Sequence, residues 1–222
     1  MLNFQKPVPY DIMHYTELND VPGLLMLIDF EKAFDTFKFI QETLCFYNFG
    51  ISIQNWIKLF YNDVKSCVIQ NGIISQYFNP EREDGQSDPI SPYLFVLCAE
   101  ILGILTRKNK DIKGIIIDGE EYKIPQYADD TSILLGSPTS MDGITRVLDY
   151  FAIISGLKIN ILKTKMVWIG SKKFSNEVFH HTRWKLDWNN RKFDLLRIKL
   201  HEMIDLNYKT KLYEIKNYLS RS

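Results

Sequence analysis

Cysteine is scarce in this chain. The three that occur, Cys45, Cys67 and Cys98, are far apart, odd in number and outside any CxxC pair or Cys/His cluster. That spacing argues against a disulfide scaffold and a structural zinc site, and reads as three buried thiols in a reducing compartment. Long apolar runs are lacking as well. The longest, Pro92 to Leu105, has 14 residues and contains Glu100, whereas a membrane span needs roughly 20. The start, MLNFQKPVPY, has no apolar core followed by a small-residue cleavage site, so no secretory signal is read there. The expectation is an intracellular chain, in cytoplasm or nucleus, with no membrane partner. Internal repeats and low-complexity stretches are absent, and with them the collagen-like, mucin-like and disordered classes.

Net charge is also lacking, but its zero is a sum of opposites. Residues 1–150 hold 12 Lys and Arg against 21 Asp and Glu, while residues 151–222 hold 15 against 6. An acidic part can hold divalent cations and a basic part can hold phosphates. Charge alone is equally compatible with two ordinary solvated faces.

With 45% hydrophobic and 24% charged residues over 222 positions, the composition is that of a folded globular chain of one domain or slightly more. Leu24 to Phe30 (LLMLIDF) is an apolar run that reads as a buried strand with Asp29 at its end. Glu31 to Phe49 has helical spacing, with Gly50 as its expected C-terminal cap, and Ser52 to Asn62 reads as a second helix. Asn71-Gly72 and Asp118-Gly119 each lie between short β-rich runs and predict hairpins. Pro80 to Pro92 reads as a polar loop. Tyr93 to Lys108 predicts a helix apolar on nearly every side, hence central. Asp129-Asp130 precedes the run Ile133-Leu134-Leu135, and Ser140 and Gly156 bracket a predicted helix as N- and C-caps. Lys165 to Ile169 predicts a strand, and Tyr208 to Leu219 an amphipathic helix. Paired strands broken by helices predict an α+β fold, an antiparallel sheet backed by helices.

The chemistry is carried by aspartates. A carboxylate at the edge of an apolar sheet is costly unless a cation or hydrogen bonds satisfy it. Asp29 and one or both of Asp129 and Asp130 could form a hard, oxygen-only site suited to Mg²⁺. Two such ions about 4 Å apart would clamp the attacking and leaving oxygens of a phosphoryl transfer. An Asp-Asp pair by itself serves equally as a turn or a helix cap.

Four segments in order, LIDFEKAFD (27–35), GQSDPISPYLF (85–95), QYADDTSILL (126–135) and GLKINILKTKMVWIG (156–170), resemble the palm motifs of reverse transcriptases. They look most like the non-LTR, LINE-type retrotransposon family, and the resemblance covers about residues 20 to 215. It implies a right-hand polymerase palm with partial fingers: a partial reverse transcriptase domain over 1–222, a palm core at about 20–175, and a basic segment at 176–222 leading toward a missing thumb. Asp29 matches the first catalytic aspartate, with the Phe30 carbonyl as its companion on the metals. Asp129 matches the second and Asp130 its partner. Phe34 falls where the family has a steric gate against a ribose 2′-OH, although helical spacing also suits it as a core residue. Gln86 falls at the nucleotide- and template-contacting glutamine. Lys163 or Lys165 would approach the leaving pyrophosphate, or else stand as solvated surface lysines. The implied cofactor is Mg²⁺, two ions, with Mn²⁺ as a substitute, and the implied partners are an RNA template, a DNA primer and a dNTP. No oligomeric state is implied.

The chain departs from the family around Gln86, where Gly85 stands for the usual Arg and Ser87 for the usual Gly, and Glu83-Asp84 brings acid to a loop that should meet a polyanion. Leu195-Leu196-Arg197 replaces the Leu-Gly of the primer-grip-like segment. These departures suggest a truncated or decayed copy whose isolated chain polymerises poorly. The reading is therefore an RNA-directed DNA polymerase. The alternative is a catalytically inactive palm kept as a nucleic-acid-binding or interaction module. A group II intron maturase shares the palm but fits the motifs less well.

Overall fold

The computed structural model describes residues 9–30, 37–61, 65, 67–78, 90–127, 130–173, 175, 184, 192–195 and 198–201. In chain order the elements are α1 (Pro9–Leu18), β1 (Gly23–Ile28), α2 (Phe37–Phe46), α3 (Ile51–Tyr61), β2 (Ile69–Gln70), β3 (Ile73–Ile74), α4 (Ser91–Lys108), β4 (Ile115–Ile117), β5 (Glu120–Tyr122), β6 (Gln126–Tyr127), β7 (Asp130–Leu135), α5 (Met141–Ser155), β8 (Lys165–Ile169), β9 (Lys192–Leu195) and β10 (Ile198–His201). The expected loop at 80–92 lies outside the described residues up to 89, as does the expected helix at 208–219. The β9–β10 pair had no counterpart in the sequence reading.

Both predicted hairpin turns form. Asn71 and Gly72 have φ of 51° and 80°, and Asp118 and Gly119 of 49° and 85°. Two successive positive φ values are what a type I′ turn requires and what Asn-Gly and Asp-Gly tolerate.

Two caps differ from expectation. Gly50 does not close α2, because Asn48, with φ of 58°, takes the left-handed position instead. The Gly50 carbonyl opens α3, accepting from the Ile53 and Gln54 amides at 3.0 and 3.2 Å. At α5 the Ser140 hydroxyl makes no cap bond. It accepts the Lys113 amide at 2.9 Å, while Ser137 caps the 3-10 turn that leads into α5. The hydroxyl oxygen has a second lone pair, but it is turned toward Lys113 and away from its own helix. Gly156, with φ of 74°, ends α5 as expected.

The central sheet has the order β6-β7-β1-β8 and is antiparallel throughout. Its register divides the side chains between two faces, because neighbours along a strand point to opposite sides. Leu24, Met26 and Ile28, with Ile133, Leu135, Met166 and Trp168, join a core completed by Leu44, Leu102, Ile144 and Phe151 of the helices. Leu25, Leu134, Val167 and Ile169 face the other way, against Ile12 and Met13 of α1 and Ile115 and Ile117 of β4. Apolar on both faces, β1 reads as one continuous run, LLMLI.

The helix α4 is less enclosed than its composition suggested. It buries Leu94, Cys98, Ala99, Leu102, Gly103 and Thr106, but Tyr93 and Val96 are exposed. Its C-terminal end is held by Lys123, a buried lysine whose Nζ donates to the Arg107 and Asn109 carbonyls at 3.3 and 3.0 Å and pairs with Glu121. A cation there satisfies carbonyls that the helix leaves open and suits the negative end of its dipole. The cysteines also depart from the expectation of three buried thiols: Cys98 is buried, Cys67 is half-buried and Cys45 is exposed. No helix among the described residues is long and apolar enough to cross a membrane.

Candidate functional site

Asp29 directly follows β1. The pairing of Ile28 with Thr131 and of Leu27 with Lys165, carried on to residue 29, sets Asp29 between Asp130 and Lys163. These residues share the sheet face of Leu25 and Leu27, beyond the point where α1 and β4 cover it. What results is an open cleft of about 370 Å³ lined by Asp29, Asp130, Ser132, Leu162, Lys163 and Lys165, with Leu27, Ile28 and Thr131 as its floor. Lys163 Nζ lies 3.8 Å from Asp29 Oδ2, with the two side chains 71% and 47% exposed.

The acidic and basic parts of the chain meet here. Two carboxylates come from the first part and two ammonium groups from the second, so an anion and a cation can each find a partner in one cleft. The wall carrying Lys163 is a single turn over residues 161–163. It is fastened by Asn160, whose amide donates to the Asp29 carbonyl at 2.8 Å. The Asn160 carbonyl accepts the Lys163 and Thr164 amides at 3.1 and 2.9 Å and the Thr164 hydroxyl at 2.8 Å. The Asn160 side-chain oxygen accepts the Lys163 amide at 3.2 Å.

Behind the cleft, β6 is anchored by Gln126, whose side-chain amide donates to the Ala99 carbonyl of α4 at 3.0 Å. Gly103 makes that approach possible, since a Cβ there would lie 2.6 Å from the Gln126 Oε1. The anchor positions the strand pair that carries Asp130, with Tyr127 paired to Asp130 and Ala128-Asp129 connecting them.

Among the expected site residues, Asp29, Asp130, Lys163 and Lys165 come together. Phe30 bridges to Ile159 and packs against the helix-side core, and it is not among the residues lining the cleft. Asp129, Phe34 and Gln86 lie outside the described residues. Among the described residues, no three His, Cys, Asp or Glu side chains gather into a metal site. Sequence reasoning passed over Asn160 and Leu162. An Asn three residues before Lys163 is a helix-start signal that could have marked the first; an exposed Leu carries no such mark, and Leu162, 90% exposed at the lip of the cleft, shows only in the fold.

Comparison with known proteins bears on the family of the whole chain. An uncharacterized mitochondrial protein of Arabidopsis thaliana is 39% identical over 69 residues, which is 29% of this chain and 57% of that protein. The chain thus spans little more than half the length of that relative. The family model described as reverse transcriptase (RNA-dependent DNA polymerase) matches residues 5–199, from before α1 to β10 and across the whole cleft. The chain belongs to the reverse transcriptase family.

Proposed function

We propose that the cleft carries out RNA-directed DNA synthesis of the non-LTR retrotransposon kind, with the palm core at about residues 20–175 and the basic stretch 176–222 following it. The observation that carries the reading is the meeting of Asp29 and Asp130, from strands far apart in the chain, with Lys163 and Lys165 in one open cleft. Asp29, Asp129 and Asp130 are the proposed catalytic carboxylates, with the Phe30 carbonyl proposed as their companion on the metals. Such oxygens are hard donors, and those of Asp29 and Asp130 are open to water, a set that fits Mg²⁺ or Mn²⁺. Bound there, divalent cations supply charge neutralisation at the attacking and leaving oxygens.

The reaction joins a primer 3′-oxygen to the α-phosphorus of a dNTP and breaks the bond to the β-phosphate oxygen, releasing pyrophosphate. The chain's own part is to orient and to balance charge. Lys163 and Lys165 stand where an anionic leaving group would be held, and either ammonium can give it a proton. Phe34 is proposed as the gate against a 2′-OH and Gln86 as the contact to nucleotide and template. The altered residues around Gln86 support a decayed copy with weak template handling.

A second reading, an inactive palm serving as an interaction module, is favoured by the exposed apolar side chains of α3 and of the β2–β3 hairpin, among them Trp56, Phe60, Ile69 and Ile73. Mn²⁺ titration followed by NMR separates the two. On the enzymatic reading, Mn²⁺ broadens resonances around Asp29 and Asp130, and Asp29→Asn weakens the effect. The weak extension of oligo(dT) on poly(rA) expected of the same protein is abolished by Asp29→Asn. Equal broadening in wild type and variant defeats the metal assignment.

A further inference from the structure

We infer that Asn160 is a positioning residue of the cleft: its side chain caps the turn that delivers Lys163 to Asp29. The inference rests on the reading of the cleft as a nucleotidyl-transfer site and adds a residue to it.

Asn160 binds both walls. Its backbone amide holds the Asp29 carbonyl, and its side-chain oxygen takes the Lys163 amide three residues on. That is the geometry of an N-cap, in which Asn, Asp or Ser accepts an amide of the first turn; here the side chain shares the Lys163 amide with the Asn160 carbonyl, at 3.2 and 3.1 Å. The turn has little else to hold it. Ile161 is only partly buried, and Leu162 and Lys163 are exposed. Apolar packing of the turn rests on Ile161 alone, against the helix-side core, and hydrogen bonds to Asn160 hold the rest. Thr164, which follows, is fully buried, and its amide and hydroxyl both end on the Asn160 carbonyl. The far end of the turn is thereby fixed, and β8 begins in register at Lys165.

A flexible lysine reaches many places from a loose turn and few from a capped one. With the cap in place, the Lys163 ammonium starts from beside the Asp29 carboxylate, where it balances charge until a metal and a nucleotide arrive. Without it, the same lysine is present but dispersed. Asn160 touches no reacting atom in this account and works through Lys163.

The test uses Asn160→Ala, Asn160→Ser and Lys163→Met, singly and as the Asn160→Ala/Lys163→Met pair, in the full chain. The first readout needs no metal and no turnover: the ¹³C shift of the Asp29 carboxyl and the exchange rate of the Lys163 amide. Asn160→Ala should speed that exchange about fivefold, the size of a lost N-cap, and move the Asp29 signal toward its Lys163→Met position. Asn160→Ser, which can still cap, should restore both. In the Lys163→Met background, Asn160→Ala should move the Asp29 signal no further. An unchanged Lys163 exchange rate, or equal effects with and without Lys163, overturns the inference. Mn²⁺ affinity measured alongside keeps the two readings apart. Affinity unchanged by Asp29→Asn defeats the metal assignment, while the Asp29 and Lys163 signals still decide the role of Asn160.

Discussion

The Lys163 ammonium lies 3.8 Å from the Asp29 carboxylate, across the gap between the end of β1 and the turn before β8. The pair is largely solvated, so its net attraction is small. Its consequence is positional, because a cation stands beside the proposed metal ligand.

Removing that cation should help a metal and hurt a reaction. Lys163→Met is expected to tighten Mn²⁺ binding about two- to fivefold, the scale of one partly exposed charge interaction, and to slow dNTP incorporation. Titration at low and at high salt provides the check. The gain should shrink as salt screens the cleft, and looser binding in the variant would contradict this account.

Gly170 should tolerate no side chain. It has φ of 65°, and a Cβ would stand 1.8 Å from the Val21 carbonyl oxygen. Strain in the left-handed region and backbone overlap act together here, so Gly170→Ala should cost more than about 2 kcal/mol. Urea unfolding of the two proteins measures it, and a midpoint equal to wild type would refute the prediction.

Stability should depend on pH through Glu121. Burial alone would raise its carboxyl pKa, but the Gly114 amide that it accepts and the Lys123 ammonium beside it prevail, and the pKa is lowered. A carboxyl lowered in the folded state contributes stability above its unfolded pKa and loses it as pH falls through the folded value. Glu121→Gln should therefore be less stable than wild type at pH 7, by about 1 kcal/mol for a partly exposed group, with the gap closing below about pH 4. A gap that stays constant down to acid pH would show that the charge is not responsible.

The cysteines should react in order of exposure. Burial pushes the Cys98 thiol up to about 12, against the opposing effect of its hydrogen bond to Thr43. Cys45 is exposed, with its thiol donating to Gln54 at 3.3 Å. Iodoacetamide at pH 8 should label Cys45 at least about tenfold faster than Cys98, since only an accessible thiolate reacts. Peptide mass spectrometry over a time course reads the order, and faster labelling of Cys98 would mean that α4 opens readily.

Much of the local structure was legible in the sequence. LLMLI could be read as a strand, because a run so short and apolar at every position suits a strand buried on both faces better than a helix. Asn71-Gly72 and Asp118-Gly119 named their own turns, because few residue pairs accept two positive φ values. Asp29 could be placed at a strand end, because the apolar run stops there in an acid. Tertiary structure decided what no local pattern contains. It set the sheet order that lays β1 between β7 and β8, and with it the choice of Asp130 and Lys163 as neighbours of Asp29. It also sent the Ser140 hydroxyl to Lys113 instead of to its own helix, and turned one face of α4 outward. Turns and strands follow from φ preferences and spacing within a few residues, whereas neighbours across a sheet follow from register between segments more than a hundred residues apart.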